Sequence, residues 1–299
     1  MNLISVIIPL APDRDLEILD SYKKHKNKIK LIIERGTNPS ENRNRGIKKT
    51  KTELVAFLNA HTLLTDDWAE KVNEFFKKHR DIDIVGGPML TKEDDPLFER
   101  ASGYVLSSIF GAGEVRTRYK MRNLNLKANE KHLTSANLIC RKKVFKKIWF
   151  DETLWPGEDP KFISDALQSG FKVAYSPEIY VYQKRRANFK ELFKQIFNYG
   201  FTRTRKEKFK ETLKKPLFLA PSIFIVYLAL LPTLTLFHYF LFFPLILYIL
   251  LNILFSFLES IKNKNAKSLI LTPFLFFIVH LAYGTGFIYG TITKISSNK

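Results

Sequence analysis

The stretch Leu54-Val55-Ala56-Phe57-Leu58-Asn59-Ala60-His61 decides how this chain is read. Leu54 to Leu58 reads as a buried strand, and Asn59-Ala60-His61 as the loop that it delivers. Upstream, Ile4 to Ile8 is a first strand and Ile29 to Ile33 a second. Between them, Asp15 to His25 carries Leu16, Leu19 and Tyr22 at the spacing of one helical face. In Asn38-Pro39-Ser40-Glu41, Asn38 is a helix cap, Pro39 suits the first helical position and Glu41 can close a capping box, so a helix begins near Pro39. Downstream, Trp68 to Lys78 is a helix, and Ile82 to Val85 a strand ending at Gly86-Gly87-Pro88. Strand and helix alternate, which predicts a parallel α/β sheet. Further on, Pro96 to Phe110 reads as a helix and Gly111 to Arg122 as a basic loop. Thr134 to Cys140 and Phe171 to Tyr175 read as strands. They flank a helix at Asp159 to Ser169, with Pro160 at its first position and Gly170 past its end.

The last third is different in kind. Pro216 to Leu258 contains no Asp, Glu, Lys or Arg, and a second uncharged run covers Ser268 to Thr293. A membrane span needs roughly 20 apolar residues. The first run is about twice that and carries Pro232, His238 and Pro244 near its middle, so it reads as two spans joined by a turn, and the second run as one more. Met1 to Pro12 has no basic n-region and is interrupted by Pro9 and Pro12, so it reads as a strand rather than a secretory leader. Cys140 is the only cysteine, which rules out an intrachain disulfide and suits a reducing, cytoplasmic side for the first two-thirds.

The net charge of +19 raises nucleic-acid binding, but its distribution argues otherwise. From Lys184 to Lys215 basic residues far outnumber Glu191, Glu207 and Glu211, and the stretch ends against the first apolar run. That placement fits the cytoplasmic face of a membrane, where each Lys or Arg gains about 1 kcal/mol from anionic headgroups.

In an open α/β sheet the ligand lies beyond the carboxyl ends of the strands. The loops there hold Glu34, the run Asn42-Arg43-Asn44-Arg45-Gly46, and Asn59-Ala60-His61. Glu34 can accept hydrogen bonds from a base or ribose, and the arginines can neutralise a diphosphate. Taken singly, each also reads as a strand-end charge, a solvated helix face or a turn residue; their shared location singles them out. Glu158-Asp159, downstream of Phe150-Asp151-Glu152, offers a general base for an acceptor hydroxyl, or simply acids at a helix start.

Together with Ser5-Val6-Ile7-Ile8-Pro9, these motifs in this order resemble family 2 glycosyltransferases. Arg186-Ala187-Asn188-Phe189, Gln195-Ile196-Phe197-Asn198-Tyr199-Gly200 and His280-Leu281-Ala282-Tyr283-Gly284-Thr285-Gly286 are similar to the membrane-anchored branch that extends lipid-linked sugars in succinoglycan-type exopolysaccharide assembly. The resemblance implies a GT-A (Rossmann-like) domain over residues 1–200, a basic juxtamembrane segment over 201–215, and about three transmembrane helices over 216–293. It implies a nucleotide-diphosphate sugar donor, inversion at the anomeric carbon, a polyprenyl-linked acceptor in the cell membrane and a divalent metal, Mn²⁺ or Mg²⁺. It places Asp159, with Glu158, as the catalytic carboxylate, and Pro9, Glu34, Arg43, Asn44, Asn59, His61, Arg185 and Arg186 around the donor. Asn59 and His61 occupy the two aspartate positions of the metal-binding Asp-x-Asp motif. There the chain departs from the family: a neutral amide is a poor ligand for Mg²⁺ or Mn²⁺, and an imidazole suits Mn²⁺ or a softer ion. The rival readings are a polyprenyl-phosphate glycosyltransferase, whose anionic acceptor needs no base, and a catalytically inactive, membrane-bound sugar-binding homologue.

Overall fold

The computed structural model describes residues 2–16, 19–154, 157–206, 216–234, 236 and 238–297. These fall into two compact units, one of residues 2–92 and 114–184, the other of residues 93–113 and 185–297.

The first unit is built on a six-stranded sheet of order β2-β1-β3-β7-β5-β8. Its strands are β1 (Ile4–Leu10), β2 (Ile29–Arg35), β3 (Leu54–Leu58), β5 (Ile84–Gly86), β7 (Asn137–Arg141) and β8 (Val173–Tyr175). A three-stranded sheet of order β4-β9-β6 adds β4 (Thr62–Leu64), β6 (Met89–Leu90) and β9 (Val181–Gln183). The larger sheet is mixed, which corrects the expected parallel sheet. β1 runs parallel to β2 and β3, and β5 to β8, but β7 is antiparallel to both β3 and β5. Its register pairs Leu58 with Asn137, so the residues just before β7 lie at the end of the sheet where β3 terminates. β7 begins three residues later than expected because Thr134 to Asn137 forms a turn, closed by the Asn137 N–H on the Thr134 carbonyl at 3.2 Å.

The chain passes from β1 to β2 on one side and then to β3 on the other, so the order reverses at β1, the usual place for a crevice in such sheets. The β1–β3 ladder stops at the pair Ile7–Phe57, whereas β1 continues beside β2 as far as Leu10–Arg35. The Leu10 carbonyl turns to β2, accepting from Gly36 N at 3.0 Å. By strand alternation Pro9 therefore presents its hydrogen-free nitrogen to the opened β3 side, where no ladder bond is lost.

Helices α2 (Pro39–Lys49) and α3 (Trp68–Lys78) cover the sheet as expected. The Asn38 side chain caps α2 by accepting from Ser40 N at 3.0 Å, but Glu41 meets the Asn38 side-chain amide rather than its backbone N–H, so the box is not closed. At Gly46 an added Cβ would sit 2.6 Å from the Ile7 side chain, so glycine lets α2 press onto β1. The first helix is shorter than its periodicity suggested: α1 spans Leu19–Lys23, ending in successive turns to Lys28.

The second unit is helical: α4 (Leu97–Ser107), α5 (Ile109–Ala112), α7 (Phe189–Lys206), α8 (Pro216–Leu234), α9 (Phe243–Lys262) and α10 (Thr272–Ser297). The expected helix from Pro96 to Phe110 is thus two, broken at Ser108, whose extended backbone ends α4. Gly113 to Arg118, expected as loop, is a 3-10 helix. Three segments, Pro216–Thr233, Tyr239–Lys262 and Thr272–Lys294, are long and apolar enough to cross a membrane. Most of the basic juxtamembrane segment lies outside the described residues.

The packing of α7 on α10 explains both glycine-bearing motifs. A Cβ on Gly200 would meet the Tyr283 carbonyl oxygen at 2.1 Å, and one on Gly286 the Phe197 carbonyl oxygen at 2.1 Å. The two backbones approach too closely for any side chain at these positions. Within the same unit His280 Nε2 donates to the Phe110 carbonyl at 2.7 Å, Tyr248 donates to His280 Nδ1 at 3.0 Å, and Phe110 stacks on Phe255 at 5.0 Å.

Candidate active site

Asp159 lies in the first turn of α6 (Glu158–Gln168). Gly157, at φ 117°, is the N-cap, so Pro160 takes the third helical position and not the first. The far end follows expectation: Gly170, at φ 83°, closes a Schellman motif in which Phe171 N–H meets the Ala166 carbonyl and Gly170 N–H the Leu167 carbonyl. Asp159 Oδ2 accepts from Thr134 Oγ1 and from Ser135 N, both at 3.1 Å. The β3–β7 register brings Thr134 and Ser135 beside the end of β3, so Asp159 is held at the same edge of the sheet as Asn59.

Glu158 reaches the same guanidinium as Asp159 and is the more deeply buried of the two. Its Oε1 pairs with Arg43 Nη1 at 2.9 Å, with both side chains less than a tenth exposed. Burial, and then the charge of Asp159, push the Glu158 carboxyl above the ordinary glutamate range against the pull of Arg43. Arg43 also lies 3.8 Å from Asp159 Oδ1 and packs over the Phe150 ring. Asn44 donates to the Phe150 carbonyl and Glu152 Oε1 and accepts from Phe150 N, all within 3.1 Å. Phe150 in turn stacks on Phe162 of α6 at 4.4 Å. Arg43 and Asn44, expected to face a donor, are buried and fasten α2 to the segment carrying Asp159. Arg43 is therefore not part of a solvated helix face. Glu34 is likewise buried, with its carboxylate 2.6 Å from Lys49 Nζ and 3.4 Å from Arg45 Nε. Arg185 and Arg186 begin the 185–297 segment of the second unit.

Asn59 and His61 lie in the tight turn after β3, closed by Thr62 N–H on the Asn59 carbonyl and by Asn59 N–H on Thr62 Oγ1. His61 Nε2 is 3.4 Å from Arg14 Nη1. Arg14 belongs to the loop after β1, which Arg35 fastens by donating to the Pro12 and Arg14 carbonyls at 3.3 and 2.8 Å. The chemistry of this set does not fit a divalent metal: an amide and an imidazole, no carboxylate, and a guanidinium on the imidazole nitrogen. Among the described residues no group of three His, Cys, Asp or Glu side chains could hold an ion. Sequence reading missed Thr134, Ser135 and Arg14. The signal for Arg14 was its place in the loop leaving the central strand; Thr134 and Ser135 were hidden by being taken for strand.

Residues 11–149 match the family model described as glycosyl transferase family 2. The chain carries a family 2 glycosyltransferase domain. Over 158 residues it is 26% identical to the minor teichoic acid biosynthesis protein GgaB of Bacillus subtilis (strain 168), covering 52% of this chain and 16% of GgaB. The mannosyltransferase PcManGT of Pyrobaculum calidifontis, solved with GDP-Man and Mn²⁺, superposes with a TM-score of 0.58 at 11% identity, over 95% of this chain and 87% of that one. S. aureus TarS 1-349 superposes with a TM-score of 0.44 at 15% identity, over 67% of this chain and 64% of that one. The fold of the glycosyltransferase domain is GT-A. The match covers Glu34, Asn59 and His61 but begins after Pro9 and stops before Asp159, so the role of that carboxylate rests on its placement.

Proposed function

We propose that this chain is an inverting glycosyltransferase that moves a sugar from a nucleotide-diphosphate sugar to a hydroxyl of a membrane-embedded, lipid-linked saccharide. The observation that carries this reading is Asp159, oriented by Thr134 and Ser135 at the open carboxyl edge of the sheet. Thr134 and Ser135 hold Oδ2, and Arg43 lies 3.8 Å from Oδ1, so the carboxylate is fixed in one orientation, from which it takes the acceptor's proton. As the hydroxyl loses its proton to Asp159, its oxygen bonds to the anomeric carbon, and the bond from that carbon to the diphosphate breaks, releasing the nucleoside diphosphate. The hydroxyl attacks the face of the anomeric carbon opposite the departing diphosphate, and that in-line displacement inverts the configuration.

Two further observations support a lipid-linked acceptor. Three helices are long and apolar enough to cross a bilayer, which would hold the domain beside such an acceptor, and the similarity to GgaB relates the chain to a protein named for the biosynthesis of a teichoic acid. A polyprenyl phosphate acceptor needs no base, so an oriented Asp159 favours the hydroxyl. The test is sugar transfer by membrane fractions offered a panel of radiolabelled nucleotide sugars. Incorporation into a lipid-extractable saccharide supports the reading; incorporation only into a polyprenyl-phosphate sugar favours the rival, and no incorporation from any donor favours the inactive homologue.

A further inference from the structure

We propose that Arg14 supplies the positive charge that neutralises the donor's diphosphate, so that nucleotide binding by this chain is independent of divalent metal. The inference rests on the donor reading above and begins where the chain departs from it: the residues at the metal position do not fit a metal. Asn59 offers a weak neutral oxygen. The His61 Nε2 lone pair, which a metal would need, faces Arg14 Nη1 at 3.4 Å. A guanidinium only donates, so this contact makes Nε2 the acceptor and His61 the neutral Nδ1–H tautomer.

The arrangement is built rather than incidental. Arg14 sits in the loop after β1 and His61 in the loop after β3, the two strands between which the sheet opens. Arg35, at the end of β2, holds the Arg14 carbonyl at 2.8 Å and lies 3.5 Å from Asp15, so loops from three adjacent strand ends converge on one cation. Of the cations on α2, Arg43 pairs with Glu158, and Arg45 and Lys49 pair with Glu34. Arg14 is exposed, and its planar fork matches two phosphate oxygens at once.

The test measures binding of UDP and GDP, and of uridine and guanosine, to the full chain in detergent by titration calorimetry, in EDTA and in Mn²⁺. The expected result is that one nucleoside diphosphate binds equally in both conditions. Arg14→Ala should weaken it by about tenfold or more, and Arg14→Lys by less, while neither changes affinity for the nucleoside. As a gain-of-function control, Asn59→Asp with His61→Asp should make binding of the same diphosphate rise with Mn²⁺. Binding by the parent that requires Mn²⁺, or diphosphate affinity unmoved by Arg14→Ala, overturns the inference and leaves the proposed function standing. If the parent binds neither diphosphate in either condition, the proposed function itself falls, and the inference with it.

Discussion

Asp159 and Glu158 are neighbours in sequence that share Arg43 but differ in their other partners, and the difference is testable. Asp159→Asn should lower transfer by about 10²–10⁴ while leaving donor affinity nearly unchanged, because a general base is needed in the transition state and not for binding. Single-turnover assays at saturating donor check this; a variant as fast as the parent removes Asp159 from the mechanism. For the buried pair, Arg43→Met strands the Glu158 carboxylate and should cost on the order of 3–5 kcal/mol of stability. Glu158 also carries a pH signature. Its folded pKa is raised, so its contribution is present below the unfolded value and is lost as pH rises through the folded one. Thermal melts of the parent and of Glu158→Gln should therefore shift against the parent as pH rises above the ordinary glutamate value; a constant gap would mean that the carboxyl is unperturbed. The acids at 158 and 159 were legible as a pair, but which one Thr134 and Ser135 hold was not. Helical phase and partners that arrive from another part of the sequence decide that.

At the scale of elements, local signals were read well where they were local. The Asn38 cap, the Gly170 stop and the bounds of β3 and α3 all match, since each is set by residues within a turn of itself. The antiparallel direction of β7 was not legible, because a run such as Asn137 to Arg141 has the same composition whichever way it enters a sheet. Nor was the clip role of Asn44, which depends on Phe150 and Glu152 arriving from elsewhere. Glycines in the apolar segments were visible only as parts of motifs, and the structure gives them a cause. Gly286→Leu should force α7 and α10 apart, costing about 1–3 kcal/mol as overpacking does. A lower melting temperature in detergent is the expected result, and a variant as stable as the parent would show that the backbones do not need to meet.

For the molecule as a whole, the charge pattern predicts a path through a membrane. Basic residues up to Lys215 favour entry from the cytoplasmic side near Pro216, and Lys262, Lys264 and Lys267 against Glu259 give the loop between α9 and α10 the bias expected of an inside loop. In a Cys140→Ser background, a membrane-impermeant thiol reagent applied to intact cells should label a cysteine at position 297 and not one at 265; labelling at 265, or at neither, refutes three spans. The discontinuity of the helical unit has a consequence for how the chain is made. The apolar face of α4, with Ala101 and Val105 fully buried, is packed within a unit whose largest helix, α10, is translated much later. At about 5–20 residues per second, α4 waits on the order of ten seconds for that cover. During that interval a newborn chain exposes a sticky helix in its middle, so its survival depends on synthesis continuing without pause and on whatever chaperone shields that segment until the last helix arrives.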